Sequence, residues 1–123
     1  MSENVKIHVE NLTKKYGDLL VLDDISFDIQ KGEFVCVVGP TGCGKTTFLN
    51  LLSCLIEPTQ GQILIDGVPA DPKKHDIAFV FQEPFSFPWL TVKDNIGFGM
   101  KMKDWSREKR EKRENEILKL MGL

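Results

Sequence analysis

The run Gly39-Pro40-Thr41-Gly42-Cys43-Gly44-Lys45-Thr46 has the spacing G-x-x-x-x-G-K-[ST], a pattern in which each fixed residue type has a use against phosphate. Glycines let the backbone N–H groups curl around a triphosphate, and a helix that starts at the lysine turns its positive end toward the same anion. Lys45 then reaches the β- and γ-phosphates. Thr46 offers a hydroxyl to Mg²⁺, a hard cation that keeps several waters and takes few oxygen ligands from protein. At ordinary glycine frequency the octapeptide arises by chance in roughly one chain of this length in a few hundred, and its flanks lower that further.

Those flanks are the elements that must hold the loop. Phe34-Val35-Cys36-Val37-Val38 is apolar without a break, which predicts a central parallel strand covered on both faces and feeding directly into Gly39. After the loop, Phe48, Leu49, Leu51, Leu52, Leu55 and Ile56 cover most of a helical circumference, predicting a buried helix over 45–56 that ends at Pro58 and Gly61. Upstream, Val5, Ile7 and Val9 alternate with polar residues, as do Ile25, Phe27 and Ile29, so two strands with one wet face are expected, separated by a loop from Asn11 to Asp18. Half-exposed strands suggest an antiparallel layer. Ile63-Leu64-Ile65 is a short strand turned by Asp66-Gly67, and residues 68–75 read as a polar loop. Ile77-Ala78-Phe79-Val80-Phe81 reads as a second buried strand with Gln82 at its C-terminal end, where open α/β sheets place ligand groups. Composition then changes. Pro84, Phe85, Phe87, Pro88 and Trp89 crowd one loop, a capping box opens a helix at Thr91, and a last helix is polar from Ser106 to Glu116 before an apolar stripe at Ile117, Leu118, Leu120 and Met121.

With 123 residues and 41% hydrophobic content, one soluble globular domain is expected. The net charge of −2 hides an asymmetry: residues 101–123 hold 8 basic and 5 acidic groups, with all three arginines at 107–113. Mixed signs at helical spacing read as a solvated helix face before a nucleic-acid or lipid contact. Cys36, Cys43 and Cys54 are odd in number and lack C-x-x-C spacing, so reduced thiols and a cytoplasmic setting are expected, without zinc or a disulfide framework. Neither a signal peptide nor an apolar window of 18 residues is present, so any membrane role goes through a partner. His8 and His75 read as surface residues.

Further motifs flank the loop: Tyr16-Gly17 before it, then Gly61-Gln62-Ile63-Leu64-Ile65-Asp66-Gly67, Val80-Phe81-Gln82-Glu83, and Pro88-Trp89-Leu90-Thr91-Val92-Lys93-Asp94-Asn95-Ile96. Together these resemble the first half of an ABC transporter ATP-binding subunit, over nearly the whole chain. The resemblance implies an α/β fold of the P-loop nucleoside triphosphate hydrolase type, truncated. An N-terminal antiparallel β layer and the loop core would occupy residues 1–83, and the start of a helical subdomain 84–123. It implies that Tyr16 stacks on adenine, and that Gly39, Thr41, Gly42, Cys43, Gly44, Lys45, Thr46 and Thr47 surround the phosphates of ATP. Thr46 and Gln82 would hold Mg²⁺, Gln82 being the Q-loop glutamine that links the metal site to the membrane partner. The implied partners are a transmembrane permease subunit, met through residues 83–105, and a second ATPase subunit in a homodimer; no nucleic acid is expected. The protein would lie on the cytoplasmic face of the membrane through its permease. Within the family, residues 88–96 look most like importers of nitrate, sulfonate or taurine type. Phe85, Phe87 and Trp89 read equally as a surface for the permease or as core of the small subdomain.

The family's second half carries an L-S-G-G-Q signature, an apolar strand ending in Asp-Glu and a switch histidine, and none of these is among the 123 residues. Ile63-Leu64-Ile65-Asp66 imitates that strand, but Gly67 stands where the carboxylate belongs. No catalytic residue is therefore assigned. The chain is expected to bind ATP without hydrolysing it alone, and a sheet lacking its later strands is expected to leave apolar edges uncovered. Two other readings stay open: a non-catalytic nucleotide-binding fragment, and a soluble ABC-type ATPase acting on nucleic acid or ribosomes, for which the basic 101–113 segment speaks.

Overall fold

The computed structural model describes residues 4–123. Alternation of Val5, Ile7 and Val9 starts a strand that runs well past the alternation itself: β1 spans Val5–Tyr16 and pairs antiparallel with β2, Leu19–Gln30, across the two-residue turn Gly17-Asp18. The loop expected over 11–18 is thus largely strand, and β2 begins well before Ile25. Bulges explain the difference. Register slips between Val9 and Leu12 and again on either side of Lys14. Asn11 and Asp24 both take φ 47°, with the Asn11 N–H donating to Ser26 Oγ at 2.8 Å and its Nδ2 to Asp24 Oδ1 at 2.8 Å. Each extra residue sends the following side chains to the other face, so the neighbours Leu12 and Thr13 are both buried, and a search for simple alternation misses the strand.

β3, Gln60–Ile65, lies on the other side of β1, and Asp66-Gly67, both at positive φ, make the turn the sequence predicts; it leads into a two-residue strand, β4, Val68–Pro69, at the start of the stretch expected to be loop. The sheet order is β2-β1-β3-β4, antiparallel throughout. α1, Lys45–Leu52, covers one face, and Phe48 and Leu51 close a core with Val9, Leu12, Leu22 and Ile63. Phe27 and Phe48 meet with ring centroids 5.6 Å apart.

Two expectations fail here. α1 stops at Leu52, because Ser53 Oγ donates to Asn50 O at 3.2 Å, Cys54 enters the left-handed region at φ 60°, and the Leu55 N–H returns to Asn50 O at 2.9 Å. Its burial is one-sided, with Leu49 exposed, and Leu55 beyond its end is exposed as well. Neither 34–38 nor 77–81 forms a strand: among the described residues no ladder reaches them, and Phe34, Val38 and Val80 are 90%, 87% and 94% exposed. An apolar run states a preference for burial, but a parallel strand forms when neighbours on its edges take up its N–H and C=O groups. Both runs leave apolar side chains uncovered, but outside any strand rather than along the sheet edge foreseen from the sequence.

The chain divides into two units, Met1–Phe79 and Val80–Leu123. In the second, α2 spans Val92–Met102 and is capped by Thr91, whose Oγ1 accepts the Asp94 N–H at 3.1 Å. α3, Arg107–Met121, is capped by Ser106. Glu114 of α3 is buried against Gly97 of α2, with Arg110 Nε at 3.4 Å and Lys93 Nζ at 3.9 Å. Gly97 makes that approach possible: a Cβ there would collide with the Glu114 carboxylate and stand 2.9 Å from its Cδ. Asn95 fastens the preceding loop, accepting the Phe87 N–H at 2.7 Å and donating to Phe87 O, Leu90 O and Thr91 O. No helix among the described residues is long and apolar enough to cross a membrane.

Candidate functional site

The loop of residues 39–44 is seated on the β1–β2 hairpin and ends as the cap of α1. Gly44, at φ 99°, is the N-cap residue; no side chain caps the helix and its first turn holds no acidic residue. The opening N–H groups of α1 thus keep their hydrogen-bonding capacity at the positive end of the helix dipole. A side chain at Gly44 has no room: its Cβ would stand 3.0 Å from Leu22 Cδ2 and 3.2 Å from both Val21 Cγ1 and Val21 O. The loop therefore lies directly on β2, with Gly42 at φ 82° completing its curl.

Lys45 is half-buried, and its ammonium is drawn back into the loop. Nζ donates to Gly39 O at 2.6 Å and Pro40 O at 2.7 Å, and lies 3.6 Å from Cys43 Sγ. The Cys43 N–H donates to Pro40 O at 3.3 Å. Thr41, Gly42, Cys43 and Thr46 are exposed, and Thr47 is half-buried. One fixed cation, a curled backbone and an uncapped helix start converge here, an arrangement suited to a multiply charged anion.

Tyr16 occupies the end of β1 beside the turn and is 49% exposed. It faces Leu19, three residues before Leu22, or about 10 Å of strand, so the hairpin that carries Tyr16 at its tip also carries the loop at its flank. Lys14 Nζ sits 5.1 Å from the centroid of the Tyr16 ring and donates to Glu57 O at 2.6 Å. Sequence reasoning does not single out Lys14, since its anchor lies 43 residues downstream and no local pattern announces it.

Gln82 belongs to the second unit, exposed in a bend, and does not end a strand as expected. The three aromatics near it divide. Phe87 packs on Phe98 and Trp89, with centroids at 4.5 and 5.5 Å, whereas Phe85 and Trp89 stay 80% and 75% exposed. Of the two histidines, both expected at the surface, His8 is half-buried and paired with Asp28, and His75 is half-buried with Nδ1 against the Asp71 backbone.

The model of the ABC transporter family matches residues 22–123. The chain belongs to this family. As an ABC transporter ATP-binding segment it is 42% identical over 126 residues to the Fe(3+) ions import ATP-binding protein FbpC of Pasteurella multocida (strain Pm70), covering 100% of this chain and 36% of that protein. It is 42% identical over 120 residues to the carnitine transport ATP-binding protein OpuCA of Listeria monocytogenes serotype 1/2a (strain 10403S), covering 93% and 30%. Among solved structures, the dimeric bacterial ABC transporter cassette MJ0796 superposes with a TM-score of 0.81 at 35% identity, over 95% of this chain and 57% of that one. The segment thus spans 36% and 30% of these two curated relatives and 57% of the cassette, and its fold is part of an ABC ATPase fold.

Proposed function

We propose that this segment binds MgATP and forms part of an ATPase that drives import of a solute across a membrane. The observation that carries the reading is the uncapped start of α1 behind a left-handed glycine loop, with the Lys45 ammonium already drawn into it. On ATP binding the backbone N–H groups of Gly39 and of residues 41–47 would take the phosphate oxygens, and Lys45 would exchange two neutral carbonyl acceptors for charged β/γ oxygens. Charge-assisted contacts are about twice as strong as neutral ones. Tyr16 presents its ring to the base. The exposed Thr46 hydroxyl suits Mg²⁺, a hard ion that takes oxygen donors. When bound, the ion neutralises phosphate charge.

Turnover is assigned to the intact protein. Phosphoryl transfer to water needs a residue that positions the water. Glu83, the nearest carboxylate to Gln82 in sequence, is not given that role. Residues 1–83 are read as β layer and loop core and 84–123 as the start of the helical subdomain, with residues 83–105, including the exposed Phe85 and Trp89, meeting a permease on the cytoplasmic side. A second ATPase subunit completes a homodimer. The named relatives serve Fe(3+) and carnitine, so solute choice is assigned to the permease. A nucleic-acid role finds little support: each arginine of α3 already meets a glutamate, in the pairs Arg107–Glu111, Arg110–Glu114 and Arg113–Glu116.

Calorimetry of MgATP binding tests the reading. Replacing Lys45 by Ala removes one charge-assisted contact, worth about 1.5–3 kcal/mol, so affinity should fall roughly ten- to a hundredfold. Unchanged affinity in Lys45→Ala overturns the site.

A further inference from the structure

A lysine stem is flexible, and its strongly hydrated ammonium ordinarily stays in water. The ammonium of Lys14 is fixed instead. It donates to Glu57 O at 2.6 Å, in the segment that leaves α1. That segment is itself stitched to β1: the Thr59 N–H donates to Thr13 O at 2.9 Å, and the Lys15 N–H donates to Thr59 Oγ1 at 2.9 Å. The held cation stands 5.1 Å from the Tyr16 ring centroid, inside the range of cation–π attraction. Tyr16 needs such a hold, because it stands half-exposed at a strand end where packing restrains it little.

We propose that Lys14 is a positioning residue for base recognition: its ammonium holds one face of the Tyr16 ring, so that the other is presented, already oriented, to the base of the nucleotide. This rests on Tyr16 being the base platform. Pre-orientation lowers the ordering penalty of binding. A cation behind the ring also draws π density toward itself, which makes the open face a better partner for an electron-rich purine. Lys14 would thus act on nucleoside triphosphates and leave bare triphosphate untouched.

Tyr16 is the sole tyrosine, so ring-labelled tyrosine gives one set of NMR signals that reports this contact alone. In the full 123-residue chain, Lys14→Met should move those signals without nucleotide present. It should weaken MgATP about two- to fivefold, with no change in the affinity of magnesium tripolyphosphate, while Lys14→Arg restores wild-type behaviour. Equal loss of both ligands would make Lys14 a phosphate attractor and overturn the proposal, as would unchanged MgATP affinity or unmoved ring signals. Should Lys14→Met fail to fold, Lys14→Gln, which keeps a donor without charge, is read by the same criteria. Tyr16→Ala separates the two ideas. It should weaken MgATP about five- to a hundredfold and spare tripolyphosphate. If it weakens both equally, or neither, the platform reading falls and Lys14 with it; if it is selective while Lys14→Met is silent, the Lys14 assignment alone falls.

Discussion

Gly44 carries two constraints at once, a backbone at φ 99° and a hairpin pressed against its α-carbon. Alanine there meets left-handed strain and the Leu22 methyl together, so Gly44→Ala is expected to destabilise the chain by about 1–3 kcal/mol. A shift in urea midpoint measures this. MgATP affinity should fall further than stability alone explains, because the start of α1 is displaced. On the same unit, the hydrogen bond from Lys6 Nζ to Asp66 at 2.6 Å holds the Asp66 carboxyl below the usual carboxylate range, with the Lys6 charge adding to it. Because the folded value lies below the unfolded one, the pair's contribution is complete above the ordinary carboxylate range and is lost as pH falls through the folded value. Lys6→Met should raise the Asp66 titration midpoint, followed by its carboxyl carbon in NMR; an unmoved midpoint contradicts the pairing. The loop that holds Lys45 was legible because its chemistry is written in eight consecutive residues. Lys14 was not, since its meaning depends on Glu57, which β1 meets after folding.

Among the helices and strands, what could be read in advance was local. Asp66-Gly67 demands its turn, Thr91 with Asp94 demands its cap, and the polar start of α3 tolerates water, so β3, α2 and α3 appear where expected, whereas β4 falls in the stretch read as loop. β1 outran its forecast because bulges at Asn11 and Asp24 break the period while hydrogen bonds repair the ladder. The runs 34–38 and 77–81 misled because apolar composition reports what a segment prefers, whereas pairing is decided by distant strands. The α2–α3 contact gives a test of close approach. Gly97→Ala must push the buried Glu114 carboxylate away from its Lys93 and Arg110 partners, at a cost of about 1–3 kcal/mol. Most of that penalty should vanish in a Glu114→Ala background, where the obstructing group is gone. Additive losses in thermal unfolding across the four proteins would show that the two residues do not compete for space.

Taken whole, the chain combines a nucleotide-type loop with long exposed apolar runs, and each has a measurable outcome. Phosphate release from the purified chain should match buffer and the Lys45→Ala control. Lys45-dependent release above that control would reveal an overlooked base, with Glu83→Gln the first variant to examine. The exposed Phe34, Val38 and Val80 offer apolar surface to other copies, so light scattering should show association that grows with concentration and falls in Val38→Lys. The sheet also has a consequence in time. Its three ladders and the cover of α1 close entirely within residues 5–69, and ribosomes deliver about 5–20 residues each second. The layer that carries Tyr16 and Lys45 can therefore close as soon as its last strand has left the ribosome, ahead of Gln82 and the helices that follow it. A nascent chain can thus shape the loop proposed to take nucleotide while the segment proposed to meet the membrane partner is still inside the ribosome.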